Sequence, residues 1–217
     1  GRQLIYIDHG DAYPRSLVLQ THYNFSPTGW SDDYSNRPNI KAIDLIPIVG
    51  KTGWNYTGLT VSGLEIGKNN NIVAGVSVAH DKIKEDQLQS VEVRNVYVSL
   101  IAKDGASSKL LWLTDYKEGA GISTDMLRLV KINEDKFALL YQIVKDEDLG
   151  TGLIIIDSKG NVLDRKEYDF YYSGCVQPIY FKDSILWVES RLEDIFKHTD
   201  EGDFISDKCR FLSISLK

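Results

Sequence analysis

The chain has 217 residues, 42% apolar and 26% charged, with a formal charge of −6. That is the composition of a globular domain with a sizeable core, and its acidity argues against nucleic acid or an anionic membrane as partner. Apolar runs reach only about seven residues, far below the roughly 20 that a bilayer-spanning helix needs, so no membrane insertion is expected.

In chain order, Gln3–Asp8 reads as an apolar strand, and it ends in the polar cluster Asp8-His9-Gly10-Asp11-Ala12-Tyr13-Pro14-Arg15. Asp8, His9 and Asp11 are residue types that bind cations or do acid–base work, while Tyr13 and Arg15 suit a polar ligand. A turn held by the Asp side chains and Gly10, with Arg15 paired to a carboxylate, explains the same residues without any ligand. Residues 1–20 show no signal peptide, lacking a basic start and an apolar stretch.

Residues 9–62 follow as a divergent unit with strands at Ser16–Tyr23, Ile40–Val49 and Trp54–Val61. Its connecting stretches are rich in aromatic residues, among them Tyr23, Trp30, Tyr34, Trp54 and Tyr56. Flat rings interspersed with Asp and Asn suit sugar binding, and exposed rings also anchor protein interfaces. Packing of a long loop onto its own sheet accounts for them equally.

From residue 63 a four-beat pattern appears. Leu64–Ile66, the turn Asn69–Asn71, Ile72–Val78, Val96–Ala102, the turn Lys103–Gly105 and Leu110–Leu113 make one unit. Leu127–Val130, the turn Asn133–Asp135, Phe137–Val144, Leu153–Ile156, Asp157–Gly160 and Asn161–Arg165 make the next. Alternation and β-branched content mark the strands, and Gly, Asn and Asp mark the hairpin turns. A last unit, 173–217, offers Val176–Phe181, Ile185–Glu189 and Arg210–Leu216. It lacks a fourth strand, and Gln3–Asp8 matches Lys109–Thr114 in character. The N-terminal strand is therefore expected to complete the last sheet.

Repeats of about 50 residues with four strands each are the signature of propeller blades. The strings Asn133–Tyr141 and Ile156–Val162 resemble bacterial-type β-propeller repeats, over roughly residues 60–217. The Trp-Asp, kelch and Asp-box signatures are absent, and the resemblance implies a fold without an activity. The expectation is one all-β domain over 1–217. It would be a β-propeller of about four four-stranded antiparallel blades: 9–62, 63–116, 123–170, and 173–217 with strand 3–8. A fragment of a larger propeller and a β-sandwich are the alternatives.

Cys175 and Cys209 are either two separate thiols or a disulfide across one blade, which would imply an oxidising compartment. No metal-ligand spacing or cofactor motif occurs, so neither is expected. The functional expectation is a non-catalytic binding module, secreted or at the cell surface, holding a protein or glycan on rim loops. The alternatives are a carbohydrate-active enzyme, with Asp8 or Asp11 joining Asp125 at a central channel, and a purely structural domain.

Overall fold

The structure, a computed structural model, describes residues 3–9, 17–23, 40–46, 60–77, 93–117, 119–145, 148–190 and 209–217. Those residues are all-β, with no helix among them. The first sheet joins β1 (Gln3–His9), β2 (Leu17–Tyr23) and β3 (Ile40–Ile46). The second joins β4 (Thr60–Ile66), β5 (Asn70–Ser77), β6 (Asn95–Ala102) and β7 (Ser108–Trp112). The third joins β8 (Ile122–Lys131), β9 (Lys136–Lys145), β10 (Asp148–Asp157) and β11 (Val162–Tyr168). The fourth joins β12 (Ile179–Phe181), β13 (Ser184–Ser190) and β14 (Cys209–Ser215). Every sheet is an antiparallel meander in which sequential strands are neighbours, the arrangement short connections favour.

The sheets stack face to face in series, because alternation gives the middle ones two apolar faces. On β9, Phe137, Leu139 and Tyr141 pack toward the second sheet with Ile72, Ala74 and Val98. Ala138 and Leu140 point the other way, onto Ile185, Trp187 and Ile214 of the fourth. The second sheet likewise turns Val73, Tyr97 and Ile101 toward Leu17, Leu19 and Leu45 of the first. Each fully buried Leu, Ile or Val contributes about 1.5–3 kcal/mol. Four sheets in series exceed the pair that makes a sandwich.

Several sequence expectations are corrected. β1 is not the missing strand of the last sheet: it pairs along its whole length with β2, from Gln3↔Tyr23 to His9↔Leu17. Sequential pairing across the short connection 10–16 wins over pairing between chain ends, whose closure entropy is larger. β4 begins at Thr60 rather than at Leu64, running through a bulge at Val61/Gly63 that Gly63 tolerates at φ 134°. β3 is described over Ile40–Ile46, and residues 47–49 of the expected strand lie outside the described residues. β12 is only three residues long. Pro178 lacks an N–H, and Gln177 spends its side chain on the Leu129 carbonyl at 2.9 Å instead of extending the ladder.

Candidate functional site

In the second, third and fourth sheets the two ends of the strands differ. One end carries only tight turns: Gly67–Asn69, Lys103–Ser107, Ile132–Asp135, Ser158–Asn161 and Lys182–Asp183. The connections 78–94, 113–121, 169–178 and 191–208 all leave from the other end.

The tight-turn end is stitched together. Ser158 Oγ donates to Asp135 Oδ1 at 2.5 Å and accepts from Asn69 Nδ2 at 2.7 Å. Asn70 Nδ2 donates to the Ser158 carbonyl at 2.9 Å, and the Lys68 N–H donates to the Glu134 carbonyl. Lys131 Nζ reaches the Ile66 carbonyl at 2.7 Å and Glu134 at 2.8 Å. Three turns from two sheets thus share one polar network, and Ser158 is buried in it. This end is a structural seam.

At the opposite end, Asn95 ties the 113–116 segment to β6. Its Oδ1 accepts from Tyr116 N–H at 2.7 Å and Thr114 Oγ1 at 2.9 Å, and its Nδ2 donates to the Tyr116 carbonyl at 3.1 Å. Arg94 pairs with Asp125 at 2.8 Å, both half-buried, while Asp125 Oδ1 accepts the Met126 N–H at 2.8 Å. Both carboxylate oxygens of Asp125 are therefore engaged. That leaves it a holder of the bulge beside it, where the register of β8 slips between Asp125 and Arg128. Met126 occupies that bulge at φ 44° and is 42% exposed. A non-glycine residue there costs of order 1–3 kcal/mol. Gly174, itself at φ 71°, lies so close that a Cβ would stand 2.4 Å from Met126 Cβ.

Behind the bulge lies Glu189, only 3% exposed. Its Oε1 accepts the Ser173 N–H at 2.8 Å and the Trp187 Nε1–H at 2.9 Å. Its Oε2 has no partner among the described residues. Gln142 Nε2 donates to the Ser173 carbonyl at 3.1 Å and to Tyr171 Oη at 3.3 Å, gripping the same crossing segment from the third sheet. Trp187 is flanked by Phe170, stacked at 5.9 Å, and Tyr172, edge-on at 5.7 Å. Burial pushes the Tyr172 and Tyr141 hydroxyls above the ordinary phenol range, and Tyr172 Oη donates to the Val176 carbonyl at 3.4 Å. The cluster is a rigid base from which segment 169–178 crosses between sheets.

The register of the first sheet separates the residues singled out in the sequence. Asp8 and His9 lie at the end of β1 paired with Val18 and Leu17. Tyr23 lies at the other end of β2, opposite Gln3. From the His9↔Leu17 pair to the Gln3↔Tyr23 pair the strands advance six residue steps, roughly 20 Å. Segments 10–16 and 47–59 leave from the His9 end, and segment 24–39 leaves from the Tyr23 end. Segment 10–16 holds Asp11, Tyr13 and Arg15, 47–59 holds Trp54 and Tyr56, and 24–39 holds Trp30 and Tyr34. All seven of those residues lie outside the described residues.

Cys175 is an exposed free thiol, and the side chain of Cys209 lies outside the described residues. Among the described residues no three His, Cys, Asp or Glu side chains converge as a metal site. The residues that sequence reasoning passed over are Gln142, Glu189 and the pair Arg94–Asp125 as a structural unit. Glu189 had a legible signal: it stands in phase with Ile185 and Trp187 on the buried face of an alternating strand. Compared with protein-family models, curated proteins and solved structures, the chain has no match.

Proposed function

We propose that this chain is a non-catalytic binding module of propeller type, its stacked sheets being radially arranged blades, and that it holds a protein or glycan on the loops at one end. One observation carries the reading: every connection longer than a tight turn in the second to fourth sheets leaves from the same end, opposite a hydrogen-bonded seam. Long loops grouped on one end of a rigid scaffold are where binding residues concentrate. Segment 47–59 leads into Thr60, paired with Val76 at that same end, and brings Trp54 and Tyr56 with it. Rings of this kind supply stacking faces for sugars and anchors for protein surfaces. Such recognition suits a secreted or cell-surface protein.

The test is an immobilised glycan panel and a panel of candidate protein partners, followed by titration of the best hit. Trp54→Ala is expected to weaken binding at least about tenfold. Trp30→Ala, attached at the opposite end, leaves it unchanged. No retention on either panel, or equal loss from both variants, overturns the reading.

A further inference from the structure

The edge strand β11 carries charges on both faces, and the two faces hold them differently. On one face Lys166 and Asp164, two residues apart, pair with each other at 3.2 Å. Arg165 and Glu167 have the same spacing on the other face, opposite Ile154 and Gly152, which is turned to the second sheet. They do not pair. Arg165 instead donates through Nη2 to the Leu113 carbonyl. Among the described residues Glu167 has neither an ion pair nor a hydrogen bond.

The second sheet meets these charges with Tyr116. Asn95 holds its backbone by both the N–H and the carbonyl, and its side chain is half-buried. Burial and then the Glu167 charge raise its hydroxyl above the ordinary phenol range, so at neutral pH it keeps its proton. Tyr141 Oη lies buried beside it, set too loosely for a hydrogen bond of ordinary geometry. A fixed guanidinium, an uncommitted carboxylate and a protonated phenol thus gather between the second and third sheets. Tyr116 itself belongs to the connection 113–121, one of those at the long-loop end.

We propose that Arg165, Glu167 and Tyr116 form a sugar site, holding hydroxyls of a neutral monosaccharide unit. Residues two apart on one face of a strand stand about 7 Å from each other, so the guanidinium and the carboxylate address different atoms of one ligand. An anion drawn to Arg165 meets Glu167, and a cation drawn to Glu167 meets Arg165, so each has a like charge nearby. A hydroxyl donates to the carboxylate and accepts from the guanidinium, and so suits both. With one nitrogen fixed on Leu113, the Arg165 fork loses little freedom on binding. Such a site deepens the binding reading above, on which it rests, by narrowing the ligand to a glycan.

The test is isothermal titration of the whole chain with the methyl glycosides of glucose, galactose and mannose, and with glycine as a charged control. Glu167→Gln, Tyr116→Phe and Trp54→Ala are titrated beside it. At least one glycoside is expected to bind, and glycine is not. Glu167→Gln and Tyr116→Phe are each expected to weaken the bound glycoside about tenfold, the scale of one hydrogen bond to a charged or buried group. Unchanged thermal transitions will show that the variants remain folded. If Tyr116→Phe unfolds, Glu167→Gln, on an exposed edge strand, decides. No glycoside bound, glycine bound instead, or a glycoside indifferent to both substitutions overturns the site. A panel partner still lost on Trp54→Ala under any of those results leaves the binding reading standing without it.

Discussion

Gly152 and Tyr141 face each other across β10 and β9, and the tyrosine ring lies where a side chain at 152 would begin. A Cβ there would stand 2.2 Å from Tyr141 Cζ. The second sheet repeats the device with its strands exchanged: Gly75 of β5 pairs with Tyr97 of β6. There a Cβ would stand 2.7 Å from the Tyr97 hydroxyl and 1.9 Å from the Thr60 carbonyl oxygen, which accepts that hydroxyl at 3.0 Å. An aromatic ring laid over a glycine across the ladder restores the packing that the glycine forgoes and pins the register.

Gly152→Ala is therefore expected to destabilise the fold by about 2–3 kcal/mol, as an overpacked core site does. In a Tyr141→Ala background the same change should cost at least ~1 kcal/mol less, because the obstructing ring is gone. Gly75→Ala should cost more than Gly152→Ala, since its nearest obstacle is backbone. Urea unfolding of the five chains checks this. Additive costs at 141 and 152 would disprove the coupling.

Glu189 separates shape from charge. Glu189→Gln keeps an acceptor for the Ser173 and Trp187 donors and should cost about 1 kcal/mol or less. Glu189→Ala orphans two buried N–H groups and should cost about 2–4 kcal/mol. The loss should be accompanied by a shift in the emission of Trp187 as segment 169–178 loosens. Equal stabilities for the Gln and Ala variants would show that Oε1 contributes nothing.

Asp157 gives the fold an acid limb. Burial is the largest single influence and raises its pKa, but the hydrogen bonds from Asn161 and the Lys159 backbone, with the Lys159 charge, together outweigh it and leave it below the ordinary 3.8. A depressed carboxyl contributes stability that is present above 3.8 and is lost as pH falls through the lower, folded value. Asp183 has the same sign, because Lys217 and Tyr180 donate to it. Stability of the native chain should thus fall more steeply below about pH 4 than that of Asp157→Asn. Melting curves taken between neutral and strongly acid pH measure the difference, and parallel slopes would refute it.

What could be read from the residues was local. Ala138 and Leu140 alternate with Phe137, Leu139 and Tyr141, and that apolar character on both faces is enough to place β9 between two sheets. The turns Asn133–Asp135 and Asp157–Asn161 announce themselves by composition. The partner of β1 was not legible. Leu4–Ile7 has the continuous apolar character of Leu110–Leu113, and such a run specifies a strand without saying which strand lies beside it. The division of Asp8 and His9 from Tyr23 was hidden for the same reason. It follows from the His9↔Leu17 register and not from any feature of the residues. Glu189 was missed because a charged residue in a loop-flanked strand reads as solvated unless its phase is followed.

The seam built on Ser158 sets an order of opening. Amide protons of β5, β6, β9 and β10 are held by two-sided burial and by turns that cannot part without breaking bonds in both sheets. They should exchange with solvent together, as one cooperative unit with the smallest opening population of the molecule. The fourth sheet, packed among the described residues on the third alone, frays at a lower free-energy cost, so loss of order on heating begins there and travels inward.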